Sequence, residues 1–150
     1  MILVIGIGTP DHGDDAAGLL VAQRIRAATS PRHVAVRELV GDELALLDMW
    51  SGAREVHIVD AVRSGGPPGA VYRFDAAGRL ATRFLNRGTH SFSLADVIEL
   101  ARAMDRLPGR LHGYGIEGAH WGLGSPMSPE VTEAVESVTG LLRLELWAGA

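Results

Sequence analysis

The stretch Met1-Ile-Leu-Val-Ile-Gly-Ile7 runs straight into Gly8-Thr9-Pro10-Asp11-His12-Gly13-Asp14-Asp15, and the residues after it have helical periodicity. An apolar, β-branched run of this length predicts a buried strand. The turn that follows holds four ionisable groups, three of them carboxylates, at the point where the strand gives way to a helix. In α/β proteins ligands settle in the crevice outside the carboxyl ends of the strands. A turn so rich in acid suits a cation and repels phosphate.

Working outward, residues 14–27 place Ala17, Leu20, Val21 and Ile25 on one helical face, with Arg24 and Arg26 near the C-terminal end where the helix dipole favours them. Residues 33–39 predict a second strand, 42–50 a short helix with Leu44, Leu47 and Trp50 inward, and 54–62 a third strand. The stiff turn Ser64-Gly65-Gly66-Pro67-Pro68-Gly69 leads into an edge strand at 70–74. Residues 75–88 look irregular and polar. Ser91 or Ser93 caps a helix reaching about Arg106, residues 110–117 form the last strand, and a Gly-rich loop, 118–126, precedes a final helix over 128–147 with Pro129 in its first turn. Strands alternating with helices predict βαβ units in a mostly parallel sheet covered on both faces. With no repeat or linker, residues 1–150 are expected to form a single three-layer α/β sandwich.

Composition excludes several classes. The chain has 150 residues, 47% of them hydrophobic and 21% charged, as in ordinary globular proteins. It has no cysteine, hence no disulfide, thiolate metal site or cysteine nucleophile, which suits a reducing compartment. All 14 basic residues are Arg, scattered along the chain, and the net charge is −4. No basic stripe for nucleic acid results, and neither a Schiff base nor a phosphate-loop lysine is available. The N-terminus lacks a basic region and a small-residue cleavage site, and no apolar run approaches the ~20 residues that span a membrane. A cytoplasmic protein with neither membrane nor nucleic-acid partner is the expectation.

The first turn is not a dinucleotide fingerprint. Gly6-Ile7-Gly8 starts like one, but the third glycine would fall at Asp11, and three aspartates at the helix start would repel a pyrophosphate. No Ser lies in Gly-x-Ser-x-Gly, and no His begins His-Glu-x-x-His. A nucleotide-binding α/β domain is thus a weak rival.

Three positions stand out as ligands. Asp14 and Asp15 share a helix start, where an Asp commonly caps the helix and is held ionised by its dipole. Only one of them can be the cap, and the other, held ionised, is left for a cation. Asp60 ends the run Val56-His57-Ile58-Val59; an Asx turn would explain it, but a carboxylate buried beside a sheet is costly unless paired or coordinated. His90 lies in Gly88-Thr89-His90-Ser91 just before a helix; one imidazole and two carboxylates make a recurrent divalent-metal set. His12, His57, His112 and His120 compete for that role. His57 is expected to be structural, inside the packed sheet.

These residues resemble, in order and spacing, the hydrogenase maturation proteases: Ile5-Gly6-Ile7-Gly8-Thr9, Gly13-Asp14-Asp15-Ala16-Ala17-Gly18, Val59-Asp60-Ala61, Thr89-His90-Ser91, Tyr114-Gly115-Ile116-Glu117-Gly118, and Leu123 to Val131. The family often has Asn at the position of Thr9 and Gly at that of Ala16. The resemblance implies a twisted five-stranded sheet between helices. It also implies a monomeric, cytoplasmic endopeptidase that removes a C-terminal extension from a nickel–iron hydrogenase large-subunit precursor once nickel is in place.

Carried over by motif, Asp15, Asp60 and His90 become both the metal-binding and the catalytic residues. The nickel arrives within the precursor, and no nucleotide is needed. Few, oxygen-rich ligands leave positions for substrate and water; the metal polarises the scissile carbonyl and a carboxylate takes a proton from the attacking water. The loops 63–69 and 118–126 are expected near the crevice, with Trp121 either a docking anchor for the precursor or packed beneath its own loop. A non-enzymatic nickel-binding or docking protein for hydrogenase assembly is the alternative that keeps the same crevice.

Overall fold

The computed structural model describes residues 1–76 and 93–148. Among these, five strands form one sheet in the order β2-β1-β3-β5-β4. The strands are β1 (Ile2–Ile7), β2 (Val34–Leu39), β3 (Glu55–Val62), β4 (Val71–Asp75) and β5 (Arg110–Glu117). All neighbours are parallel except β4, which pairs antiparallel with β5 at the edge. The expected mostly parallel sheet is therefore present, and the β4 edge is reached through the Pro-Pro-Gly turn.

Helices α1 (Ala17–Ala28) and α4 (Pro129–Ala148) cover one face, α2 (Leu46–Met49) and α3 (Leu94–Ala103) the other. Each central strand feeds both layers because its side chains alternate. Thus Leu3, Ile5, Ile7, Val56 and Ile58 join α2 and α3, whereas Ile2, Val4, Val59 and Ile116 join α1 and α4. The helix starts follow local chemistry. Ser93 caps α3 in a reciprocal box with Asp96, whose side chain returns to the Ser93 N–H. Ser91, the other capping candidate, lies outside the described residues, as does most of 75–88. The short helix predicted over 42–50 is split: Asp42 caps a 3-10 turn, Glu43–Ala45, before the single turn of α2.

The first helix also starts differently from the periodicity. Gly13–Ala16 is a 3-10 turn, and only then does α1 begin. The helix that follows lies in tight contact with the sheet. A Cβ on Gly18 would stand 2.3 Å from the Val59 carbonyl oxygen and 2.4 Å from that of Ile7. One on Gly6 would stand 2.1 Å from the Gly18 carbonyl oxygen. Hydrogen in place of a methyl lets the helix backbone lie against the ends of β1 and β3, which puts the acidic turn beside Asp60.

Gly18→Ala tests this contact. On an exposed helix the change would stabilise by about 1 kcal/mol. Here, with rigid backbone on both sides, it should cost about 2 kcal/mol or more. In urea denaturation the midpoint should fall with an unchanged slope; a raised midpoint would contradict the close approach.

Candidate functional site

The chain passes from β1 outward to β2 on one side and then crosses back to β3 on the other side of β1, so the winding reverses between β1 and β3. The carboxyl ends of these two strands flank the sheet's topological switch point, where α/β folds open a crevice. Asp15 follows β1 and Asp60 lies near the end of β3. Both predicted carboxylates thus lie toward the carboxyl ends of adjacent strands.

Asp60 is 2% exposed. It pairs in register with Gly115 of β5, one residue beyond the Gly6–Val59 pair that ends the β1 ladder. Asp15 is half-buried. Its N–H donates to the His12 carbonyl at 3.2 Å, and its carbonyl accepts from the Thr9 N–H at 3.2 Å, so the turn closes on itself through backbone bonds. Thr9 therefore bonds the turn through its backbone. His90 lies outside the described residues.

Asp14 has a different role from the cap the sequence suggests. The residue at the cap position of the 3-10 turn is His12, and no side-chain cap bond forms there. Asp14 is instead wholly buried and reaches across the molecule. Its carboxylate accepts from the N–H groups of Ala119 at 2.7 Å, His120 at 3.0 Å and Ser128 at 2.7 Å, and from the Ser128 hydroxyl at 2.7 Å. The Asp14 N–H in turn donates to the His120 carbonyl at 2.8 Å. Burial works against the charged carboxylate, but the bonds from Ala119, His120 and Ser128 overcome it and hold the pKa below the usual range. Sequence could not separate Asp14 from Asp15, because their donors come from more than 100 residues further along the chain.

A second buried acid, Glu117, closes the neighbouring loops. At 1% exposure its carboxylate accepts from the Ser64 N–H at 2.9 Å, from the Ser64 hydroxyl, and from the Tyr72 hydroxyl at 3.0 Å. The Gly118 N–H donates to the Val62 carbonyl, and that of Gly69 to the Glu117 carbonyl. The loops 63–69 and 118–126 therefore meet at the carboxyl edge. Between them, the Arg63 guanidinium lies 5.5 Å from the centroid of the Trp121 ring. Trp121 is half-buried against Gly118, whose added Cβ would stand 2.9 Å from the indole. Its own loop thus takes one edge of the ring while Arg63 sits over it.

The competing histidines separate. His12 is a half-buried loop residue whose Nδ1 lies 2.9 Å from the Pro10 carbonyl oxygen, and His120 is an exposed residue held by its backbone to Asp14. His57 and His112 lie lower in β3 and β5, away from the crevice.

The hydrogenase maturation protease family model matches residues 21–143, a span that includes Asp60 and His90 but starts after Asp15. Solved structures share the fold. The hydrogenase maturation protease HycI from Thermococcus kodakarensis KOD1 aligns with a TM-score of 0.77 at 24% identity, covering 97% of this chain and 91% of that one. The maturating endopeptidase HybD from E. coli gives 0.82 at 21% identity, over 99% and 93%. The hydrogenase 2 maturation peptidase from Thaumarchaeota archaeon SCGC_AB-539-E09 gives 0.68 at 25% identity, over 97% of each chain. Comparison with curated proteins finds no significant match.

Asp14 carries a pH signature. Its folded pKa lies below its unfolded one, so its contribution is full at neutral pH and is lost as pH falls through the folded value. Asp14→Asn, which turns an amide toward four donors, should cost about 3 kcal/mol at neutral pH. In urea titrations the gap between parent and variant should narrow as pH drops below about 4. A gap independent of pH would contradict the charged network.

Proposed function

The chain belongs to the hydrogenase maturation protease family, and from that premise we propose that it is an endopeptidase acting on a nickel–iron hydrogenase large-subunit precursor. It removes the C-terminal extension after nickel has been inserted, and nickel in the precursor is the recognition element. The observation that carries this reading is the pair of carboxylates, Asp15 and Asp60, at the β1–β3 switch point of a chain in this family. With His90 ahead of α3 they make a set of two oxygen donors and one imidazole, which fits a divalent ion of the nickel class. The turn after β1 lacks the glycine pattern and the basic charge that a nucleotide would need.

The division of labour follows from the protein's own groups. Asp60, buried at a strand end, is a fixed point; Asp15, on a short turn, borders the opening. Held against the nickel of the precursor, the two acids and His90 position the substrate's C-terminal segment. A carboxylate oxygen facing the attacking water accepts its proton, and the leaving amine takes a proton as the peptide bond breaks. Trp121 and Arg63 stand between the two loops at the carboxyl edge, and Trp121 is the candidate aromatic contact for the precursor. No helix among the described residues is long and apolar enough to cross a membrane.

The test is a mass measurement on the precursor after incubation with this chain. Nickel-loaded precursor should lose its C-terminal extension, and nickel-free precursor should stay intact. Unchanged mass with nickel bound to this chain would favour the docking alternative and overturn the protease reading. Asp60→Asn and His90→Ala should each lower cleavage by roughly 100-fold or more while leaving the fold intact; parent-like nickel or cadmium binding by both would remove these residues from the site. Trp121→Ala should slow cleavage chiefly through weaker precursor binding, and an unchanged rate would discard the docking contact.

A further inference from the structure

A second group of metal-ligating side chains lies on the other face of β3, under α4. Strand alternation puts Glu55 and His57 on the same side, and the parallel register sets His57 beside His112 of β5. The two imidazole centroids are 5.1 Å apart. One oxygen of Glu55 lies 3.7 Å from His57 Nε2 and the other 3.9 Å from His112 Nε2. Among the described residues this is the group of three whose candidate ligand atoms all fall within 4.8 Å of one another.

Both ring nitrogens of His57 and Nδ1 of His112 are buried with no hydrogen-bond partner. His57 is 2% exposed and His112 9%. A neutral imidazole has one donor and one acceptor to satisfy, and leaving both unmet in a buried site is rare without a further group. The surroundings supply what metal-bound imidazoles use. His57 Nδ1 faces a Glu145 oxygen at 3.6 Å and His112 Nδ1 faces an Asp75 oxygen at 3.9 Å. Outer carboxylates on the far nitrogens are the usual support for histidine ligands. Glu145 is itself fixed by Arg73 at 3.1–3.2 Å and by the Tyr114 hydroxyl.

We propose that Glu55, His57 and His112 bind a divalent first-row transition ion of the zinc class, at a site separate from the Asp15–Asp60 crevice. Two imidazoles and a carboxylate, with no thiolate in the chain, are the donor set such an ion prefers. A tetrahedral centre needs ligand atoms roughly 3.3–3.5 Å apart, so side-chain shifts that draw in spacings of at most 4.8 Å close it. A cleft lined by Asp75, Arg110 and His112 gives the ion its way in and leaves a further position open to solvent.

The site is tested with cobalt and zinc on full-length protein carrying Asp15→Asn and Asp60→Asn, so that the crevice does not report. One equivalent of Co(II) should give the intense visible bands of a tetrahedral site, and Zn(II) should displace it and raise Tm. Adding Glu55→Gln, a near-isosteric change, should weaken binding by about 100-fold with the fold unchanged by circular dichroism; His112→Gln should do the same. Nitrogen-15 NMR of the imidazoles gives an independent readout, with His57 and His112 ring signals shifting on zinc addition. No binding in the crevice-deficient protein, or binding and imidazole shifts indifferent to Glu55→Gln, would overturn the proposal.

Discussion

The Asp14 carboxylate is the interaction on which the working end of this molecule depends. A buried charge is tolerated only when its acceptor sites are filled, and here four donors fill them from a loop more than 100 residues away. The bond locks the turn after β1 to the loop after β5 and to the start of α4. The crevice between β1 and β3 thereby gains a fixed rim. It also divides the labour between neighbours: with Asp14 turned inward, Asp15 is left on the half-buried side of the same turn.

Much of the fold was legible because its elements announce themselves locally. The apolar runs of β1 and β3 are buried on both faces, as parallel strands require, and the Ser93–Asp96 box marks where α3 begins. The acidic turn and Asp60 were also legible as candidates, since each lies toward the carboxyl end of an apolar strand. What escaped the sequence depended on distance along the chain. Asp14 resembles a helix cap until its partners at Ala119, His120 and Ser128 are known. Glu117 looks like the end of a strand until Ser64 and Tyr72 fold onto it. The 3-10 winding at 13–16 and the backbone contacts of Gly18 are likewise features that periodicity does not register.

The same limit applied to His57. Sequence marked it as packed within the sheet, and it is buried there. Its pairing with His112, 55 positions further along the chain, is however set by the register of two strands, not by spacing within either. Strand β3 consequently presents two different chemistries. Glu55 and His57 face the α1 and α4 layer near its start, and Asp60 lies on the other face near its end. A single extended segment thus serves the proposed nickel crevice at the carboxyl edge and the proposed zinc-class site under α4.

The central claim is that Asp15 and Asp60, placed together by the β1–β3 switch point, share one metal ion with His90. Anomalous diffraction from cadmium-soaked crystals tests it most directly. The account predicts a peak within about 2.5 Å of a carboxylate oxygen from both Asp15 and Asp60 and of a His90 nitrogen. Crystals that take up cadmium elsewhere while the crevice between these two acids stays empty would contradict it.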